Sequence, residues 1–334
     1  MSIPTTDARS SLRLHWARAT LGHATLGLQR ASTDAGFRSY WRTQGSTPSR
    51  IVMDSPPDQE DVRPWLRMRD LLETGGVRVP QVLARNIDQG FLLLEDLGGP
   101  TVAQVIDANN ADAHIDAAIT QLIRLQSITL PADVPAFGEA LLQRDAGLFE
   151  DWFIGKHLGI SLDCADAERL QLVQRRLLDN ALAQARVPTH RDFMLRNLMP
   201  VTDGPAVLDF QDLVQGPIAY DPVSLLRDAF LSWPEPCVSA WLAHYHARAI
   251  RAGLPVPGLA KFQRDADWCG VQRHLKILGI FARLQHRDGK PRYLADAPRF
   301  FAYLDAVVPK YRALDPLHIL LERTLKPAFI RMTA

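Results

Sequence analysis

The chain has 334 residues, 38 basic and 37 acidic side chains for a formal net charge of +1, and 47% hydrophobic residues. This is the composition of a globular protein long enough for two domains, and so small a charge excludes nucleic-acid binding driven by bulk electrostatics. Cys164, Cys237 and Cys269 are too widely spaced for a disulfide framework or a zinc site. No apolar run approaches the roughly 20 residues that span a bilayer, and the N-terminus has no apolar leader core. The expectation is a cytoplasmic protein with reduced thiols, no membrane or nucleic-acid partner and no obligatory protein partner.

Residues 1–28 carry a loosely helical pattern and predict an N-terminal helix. Short strand-like runs follow at Phe37–Thr43 and Arg50–Asp54, separated by polar stretches. Ser55-Pro56-Pro57-Asp58 reads as a helix start, because Pro fits a first turn and Asp suits the N-terminal dipole. That helix is predicted to run to Thr74, where Gly75-Gly76 stops it. Two further strands are expected at Gln81–Arg85 and Phe91–Glu95, with Asp88-Gln89-Gly90 as their turn. Residues 28–95 thus predict a small sheet carrying one helix.

Asp96-Leu97-Gly98-Gly99-Pro100 reads as a hinge. Beyond it Ile115, Ile119, Leu122 and Leu125 fall at helical spacing, and helical patterns recur to about Arg186. Residues 187–219 change to short extended pieces and tight loops, after which helices resume. The predicted class is α+β: an N-lobe over 1–95, a hinge over 96–100 and a largely helical C-lobe over 101–334.

The chemistry is concentrated in His190-Arg191-Asp192-Phe193-Met194-Leu195-Arg196-Asn197, which fits H-R-D-x-x-x-x-N. An apolar run, Ala206-Val207-Leu208, then ends in Asp209-Phe210. Phosphoryl transfer needs a base beside the attacking hydroxyl and oxygen ligands for Mg²⁺ bridging the phosphates. Asp192 suits the first role, and Asn197 with Asp209 the second. The tripeptide alone says little, since His286-Arg287-Asp288 repeats it with Tyr293 where the Asn should be. The bland alternative makes Asp192 and Asn197 loop caps and Asp209 a strand end.

On these residues the chain resembles the aminoglycoside phosphotransferase and choline kinase group, with its protein-kinase-like bilobal fold. Within that group it is most similar to the anomeric kinases of N-acetylmuramate and N-acetylglucosamine in bacterial cell-wall recycling. The likeness rests on Ser32–Arg42, Val52–Asp61, Phe91–Gly98, His190–Met199, Asp209–Asp228 and Leu278–Lys290, with Arg191 and Met53–Pro57 favouring the sugar kinases. It implies ATP and Mg²⁺ as cofactors, an amino-sugar acceptor and a sugar 1-phosphate product. It also implies that the loop including Ser32, Thr33 and Phe37 covers the triphosphate, and that Glu60 sits on the helix supplying an ion-pair carboxylate. The Glu95–Leu97 backbone would bind adenine, and Asp221, with His190, would brace the catalytic loop. Glu60 reads equally as a solvated charge and Asp221 as a helix cap. Two other classes stay open: an aminoglycoside or other hydroxyl kinase, and a non-catalytic nucleotide-binding module.

Acceptor contacts are sought where aromatics alternate with charges, at Arg144, Asp145, Glu150, Asp151 and Trp152, and at Gln211 and Asp212 behind the metal Asp. The alternative makes Trp152 and Phe153 core. The chain has no Lys before Lys156, and Met53 stands where protein kinases place a phosphate-binding Lys. The triphosphate still needs a cation. Side chains alternate along a strand, so Arg38, Tyr40 and Arg42 share a face. Arg38, and after it Arg42, is the expected substitute.

Overall fold

In this computed structural model, residues 6–32 and 37–333 are described. The elements run in chain order as α1 (Thr6–Leu21), β1 (Gly27–Arg30), β2 (Ser39–Gln44), β3 (Arg50–Asp54), α2 (Arg63–Thr74), β4 (Val82–Asn86), β5 (Phe91–Glu95) and α3 (Val102–Val105). Then come α4 (Ala111–Gln126), α5 (Glu139–Leu148), α6 (Cys164–Ala183), β6 (Arg186–Thr189), β7 (Leu198–Met199), β8 (Ala206–Val207), β9 (Val214–Pro217), α7 (Tyr220–Leu226), α8 (Glu235–Arg251), α9 (Leu259–His286) and α10 (Ala297–Val307). Two compact units result: residues 1–105 with 196–211, and residues 106–195 with 212–334.

The first unit is built on an antiparallel sheet in the order β1-β2-β3-β5-β4. Strand alternation sorts its side chains. Trp41, Val52, Leu93 and Ala84 stand in cross-strand register and meet Trp16, Ala17 and Leu21 of α1. The helix is also pinned electrostatically. The buried Asp54 carboxylate receives Arg9 at 2.6 Å and Arg13 at 2.7 Å, while Arg13 lies 3.7 Å over the Trp41 ring and Arg9 4.3 Å over Phe91. Removing one partner of a buried ion pair costs about 3–5 kcal/mol, so these contacts tie α1 firmly to the sheet.

Two sequence expectations need correction here. The N-terminal helix stops at Leu21, and Gly27 already begins a strand. The helix expected from Ser55 starts only at Arg63. Residues 55–60 instead close a tight turn: the Gln59 and Glu60 amides both donate to the Pro56 carbonyl, and the Ser55 amide donates to Gly90 O at 2.9 Å. Gly90 has φ +70°, and a Cβ there would lie 1.8 Å from Ser55 O. The long-range contact with Gly90 uses the proline-rich stretch as a corner. Glu60 therefore precedes α2.

In the second unit α4 presents Ile115, Ile119, Leu122 and Leu125 inward, as their spacing predicts. Its main core surrounds α9, with Leu275, Leu278, Phe281 and Ala282 packed against Phe149, Phe153, Phe300 and Leu304. Gly279 permits the closest approach, since a Cβ there would meet the Leu148 carbonyl at 2.3 Å. Residues 149–157 continue α5 as a π-helical stretch. Among the described residues no helix is long and apolar enough to cross a membrane.

Candidate active site

In the second unit, β6 delivers the chain to His190, and Asp221 at the start of α7 catches it. The His190 amide donates to Asp221 Oδ2 at 2.6 Å and the Arg191 amide to Oδ1 at 2.9 Å. Burial pushes the Asp221 carboxyl up to about 6, against the opposing pull of His190 and these amides. Arg191 has φ +73°, a left-handed conformation rare outside glycine. Asp192 follows directly. Its side chain keeps 45% of its surface open although protein groups crowd its other sides. Burial raises its carboxyl, but Arg273, Lys276, His190 and Arg191 together draw it below the ordinary carboxylate range. Arg273 on α9 lies 3.4 Å from Asp192 Oδ1. One turn on, Lys276 lies 3.3 Å from the buried Asp145 of α5 and 3.5 Å from the Tyr220 hydroxyl.

In the first unit the β7–β8 hairpin carries the other two motif residues. The Leu208 amide donates to the Asn197 carbonyl at 2.9 Å, so Asn197 and Asp209 flank one end of the hairpin. Asp209 is exposed with φ +62°, and Phe210 is buried against Trp65. Gln211 donates its side-chain amide to Asp209 Oδ1 at 2.9 Å. Side-chain oxygens are the donors that Mg²⁺ takes.

Of the residues expected around the triphosphate, Thr33 lies outside the described residues. Ser32 and Phe37 flank that stretch, with Phe37 well exposed. Arg38 pairs with Glu60 at 3.3 Å. Arg42 is engaged by the hinge: Asp96 accepts its Nε at 2.7 Å and Nη2 at 3.0 Å, and Gly98 O accepts Nη2 at 2.6 Å. Burial works against the charge on Asp96, yet hydrogen bonds from Arg42, Ser49 and the Gly98 amide hold its carboxyl below the ordinary range. Glu95 binds Arg78 through its carboxylate at 2.5 Å, and its amide donates to Gln81 O at 2.9 Å. Leu97 is half-buried in the hinge.

Of the acceptor candidates, Asp145 lies 3.8 Å from Arg191, the residue before Asp192. Arg144 is exposed beside Asp145 at 3.8 Å. Glu150 lines a cavity of about 540 Å³ with Leu142, Gln174, Gln272 and Leu275. Trp152 is half-buried and packs on the helical core, which favours the core alternative for it. Asp212 is exposed at a turn. Sequence reasoning missed Arg273 and Lys276 entirely. A signal existed: Gln272, Arg273, His274 and Lys276 interrupt the apolar middle of a 28-residue helix, and all four are buried.

The fold and motif residues define a phosphotransferase, and the chain belongs to the phosphotransferase enzyme family, whose model matches residues 27–261. A Pseudomonas aeruginosa protein named N-acetylmuramate/N-acetylglucosamine kinase is 48% identical over 292 residues, 87% of this chain and 86% of its own. The protein of that name from Pseudomonas putida is 46% identical over 303 residues, 90% of this chain and 88% of its own. Among solved structures, a Plasmodium vivax ethanolamine kinase superposes with TM-score 0.62 at 11% identity, covering 93% of this chain and 92% of its own. An ADP-bound aminoglycoside phosphotransferase superposes with TM-score 0.60 at 14% identity, covering 88% and 97%. These likenesses establish the protein-kinase-like fold.

Proposed function

We propose that the protein is an ATP-dependent kinase that phosphorylates the anomeric hydroxyl of N-acetylmuramate and N-acetylglucosamine in peptidoglycan recycling. The observation that carries this reading is the likeness to kinases of that name, 42–48% identical over about nine-tenths of the chain. In this reading Asp192 accepts or orients the proton of the sugar 1-hydroxyl as its oxygen attacks the γ-phosphorus. The bond to the β-phosphate oxygen breaks, giving sugar 1-phosphate and ADP. Flanking cations lower the basicity of Asp192. A hemiacetal hydroxyl is more acidic than an ordinary alcohol and so asks less of a weak base.

Asn197 and Asp209 would hold Mg²⁺, which supplies charge neutralisation at the phosphates. Arg38, braced by Glu60, would take the phosphate role left vacant by lysine. The Glu95 amide is occupied by Gln81 O, so recognition of the adenine edge falls to the backbone at Leu97. The test is an acceptor screen with product NMR. Transfer to C1 of both amino sugars, with the 1-O-methyl glycosides inert, is expected. Equal phosphorylation of the glycosides, or transfer to aminoglycosides alone, refutes the reading.

A further inference from the structure

The residue ahead of the proposed base is held in an unfavourable conformation. A non-glycine residue in the left-handed region costs about 1–2 kcal/mol, and Arg191 sits there at φ +73°. Its amide is fixed by Asp221. Its carbonyl accepts Arg273 Nη1 at 2.7 Å and the Ser224 hydroxyl at 3.4 Å. The same guanidinium reaches Asp192 Oδ1, with Nη2 at 3.4 Å and Nη1 at 3.5 Å. Arg273 is 1% exposed, and its guanidinium also interacts with Tyr220. Burying a guanidinium is costly, and an apolar side chain would fill the space at less cost if packing were its only task. The three residues after Asp192 are Phe193, Met194 and Leu195, so that stretch of the loop carries no cation of its own.

We propose that Arg273 of α9 is the positioning residue for Asp192, spanning the carbonyl before it and the carboxylate itself so that the loop stays left-handed and the carboxylate is aimed at the acceptor hydroxyl. The planar fork of a guanidinium bonds two oxygens in fixed relative orientation, which a lysine ammonium does not. The long contact to Asp192 steers the carboxylate without closing on it, and its side chain remains half open. Lys276 is occupied by Asp145 and Tyr220, so it adds charge nearby without bridging the loop.

This inference rests on the kinase reading of Asp192, and a double-mutant cycle with two readouts separates them. Arg273→Lys should lower kcat for N-acetylglucosamine about 10–100-fold, the scale of a misplaced reacting group, with KM for ATP and sugar within about 3-fold. In an Asp192→Asn background the same change should cost under about 3-fold, because an effect exerted through Asp192 vanishes with it. Amide exchange at His190 and Arg191 should quicken at least about 10-fold in Arg273→Lys as the left-handed turn loosens. Arg273→Met, if it folds by circular dichroism, should lose more than Arg273→Lys. Equal losses in both backgrounds, wild-type kcat in Arg273→Lys, or unchanged exchange at both amides would overturn the proposal. A wild-type enzyme that phosphorylates neither amino sugar refutes the functional reading instead, and the exchange rates then decide the role of Arg273.

Discussion

Arg38 and Glu60 form an ion pair at 3.3 Å, with the guanidinium 16% and the carboxylate 31% exposed, in a unit whose residues include no lysine. The pair matches the lysine–glutamate pair of protein kinases in charge but not in residue, with the carboxylate supplied ahead of a helix. Charge-assisted hydrogen bonds contribute about 1.5–3 kcal/mol. Arg38→Ala is therefore expected to raise KM for ATP, or lower kcat, about 10–100-fold while KM for the sugar stays within about 2-fold. Glu60→Gln should show a smaller change in the same direction. Steady-state kinetics with each substrate varied checks this, and an unchanged ATP dependence in Arg38→Ala would remove Arg38 from the phosphate site.

Asp192 and Asp209 should separate by what they lose. Asp192→Asn is expected to retain ATP affinity and lower kcat by about 10²–10⁴, the range for a lost general base. Asp209→Ala should abolish the Mg²⁺-dependent part of nucleotide binding in calorimetry. Near-wild-type turnover in Asp192→Asn would end its assignment as base.

Asp221 predicts a pH dependence. Asp192 lies below the ordinary carboxylate range and stays ionised at any working pH, whereas Asp221 titrates near 6. Protonation weakens its acceptance from the His190 and Arg191 amides, so kcat should fall as pH drops through about 6. Asp221→Asn should lose that limb at a lower plateau rate. The stability term has the opposite sign. A carboxyl raised from 3.8 to about 6 on folding contributes stability that is full below 3.8 and lost as pH rises through about 6. Paired pH–rate and pH–melting curves of the two proteins test both signs.

Gly279→Ala should destabilise the protein by about 1–3 kcal/mol, because its Cβ would meet backbone atoms of Leu148 and Phe149, which cannot swing aside. The fall in denaturant midpoint at constant m-value measures it. A midpoint equal to wild type would mean that α9 and α5 separate at no cost.

Much of this arrangement is local and therefore readable. The limits of β3 and β5 follow from apolar runs bounded by polar turns and α4 from its spacing, while the roles expected around Asp192 rest on the demands of phosphoryl transfer. The start of α2 is not local. Ser55-Pro56-Pro57-Asp58 suits a helix or a corner equally, and the bond to Gly90 O decides. Arg42 carries no sequence mark of its commitment to Asp96, 54 residues away. Arg273 lies 81 residues from Asp192, and only its burial within an apolar helix reveals that it faces the loop. Glu60 was expected on a helix and stands before one, yet still faces a cation.

The clasp of Asp54 by Arg9 and Arg13 has a consequence for biosynthesis. The partners of α1 emerge well after the helix itself: Asp54 is 41 residues beyond Arg13, and the Gln89 carbonyl that also binds Arg9 is 80 residues beyond it. At about 5–20 residues per second, the helix waits roughly 4–16 s for Gln89 to leave the ribosome. Until β3 and Asp54 have followed, Trp16 and the two arginines have no strand to rest on, and β5 completes that surface later still. Helix α1 is thus secured well after it is made, and a translational pause before residue 89 would prolong its exposure to chaperones and proteases.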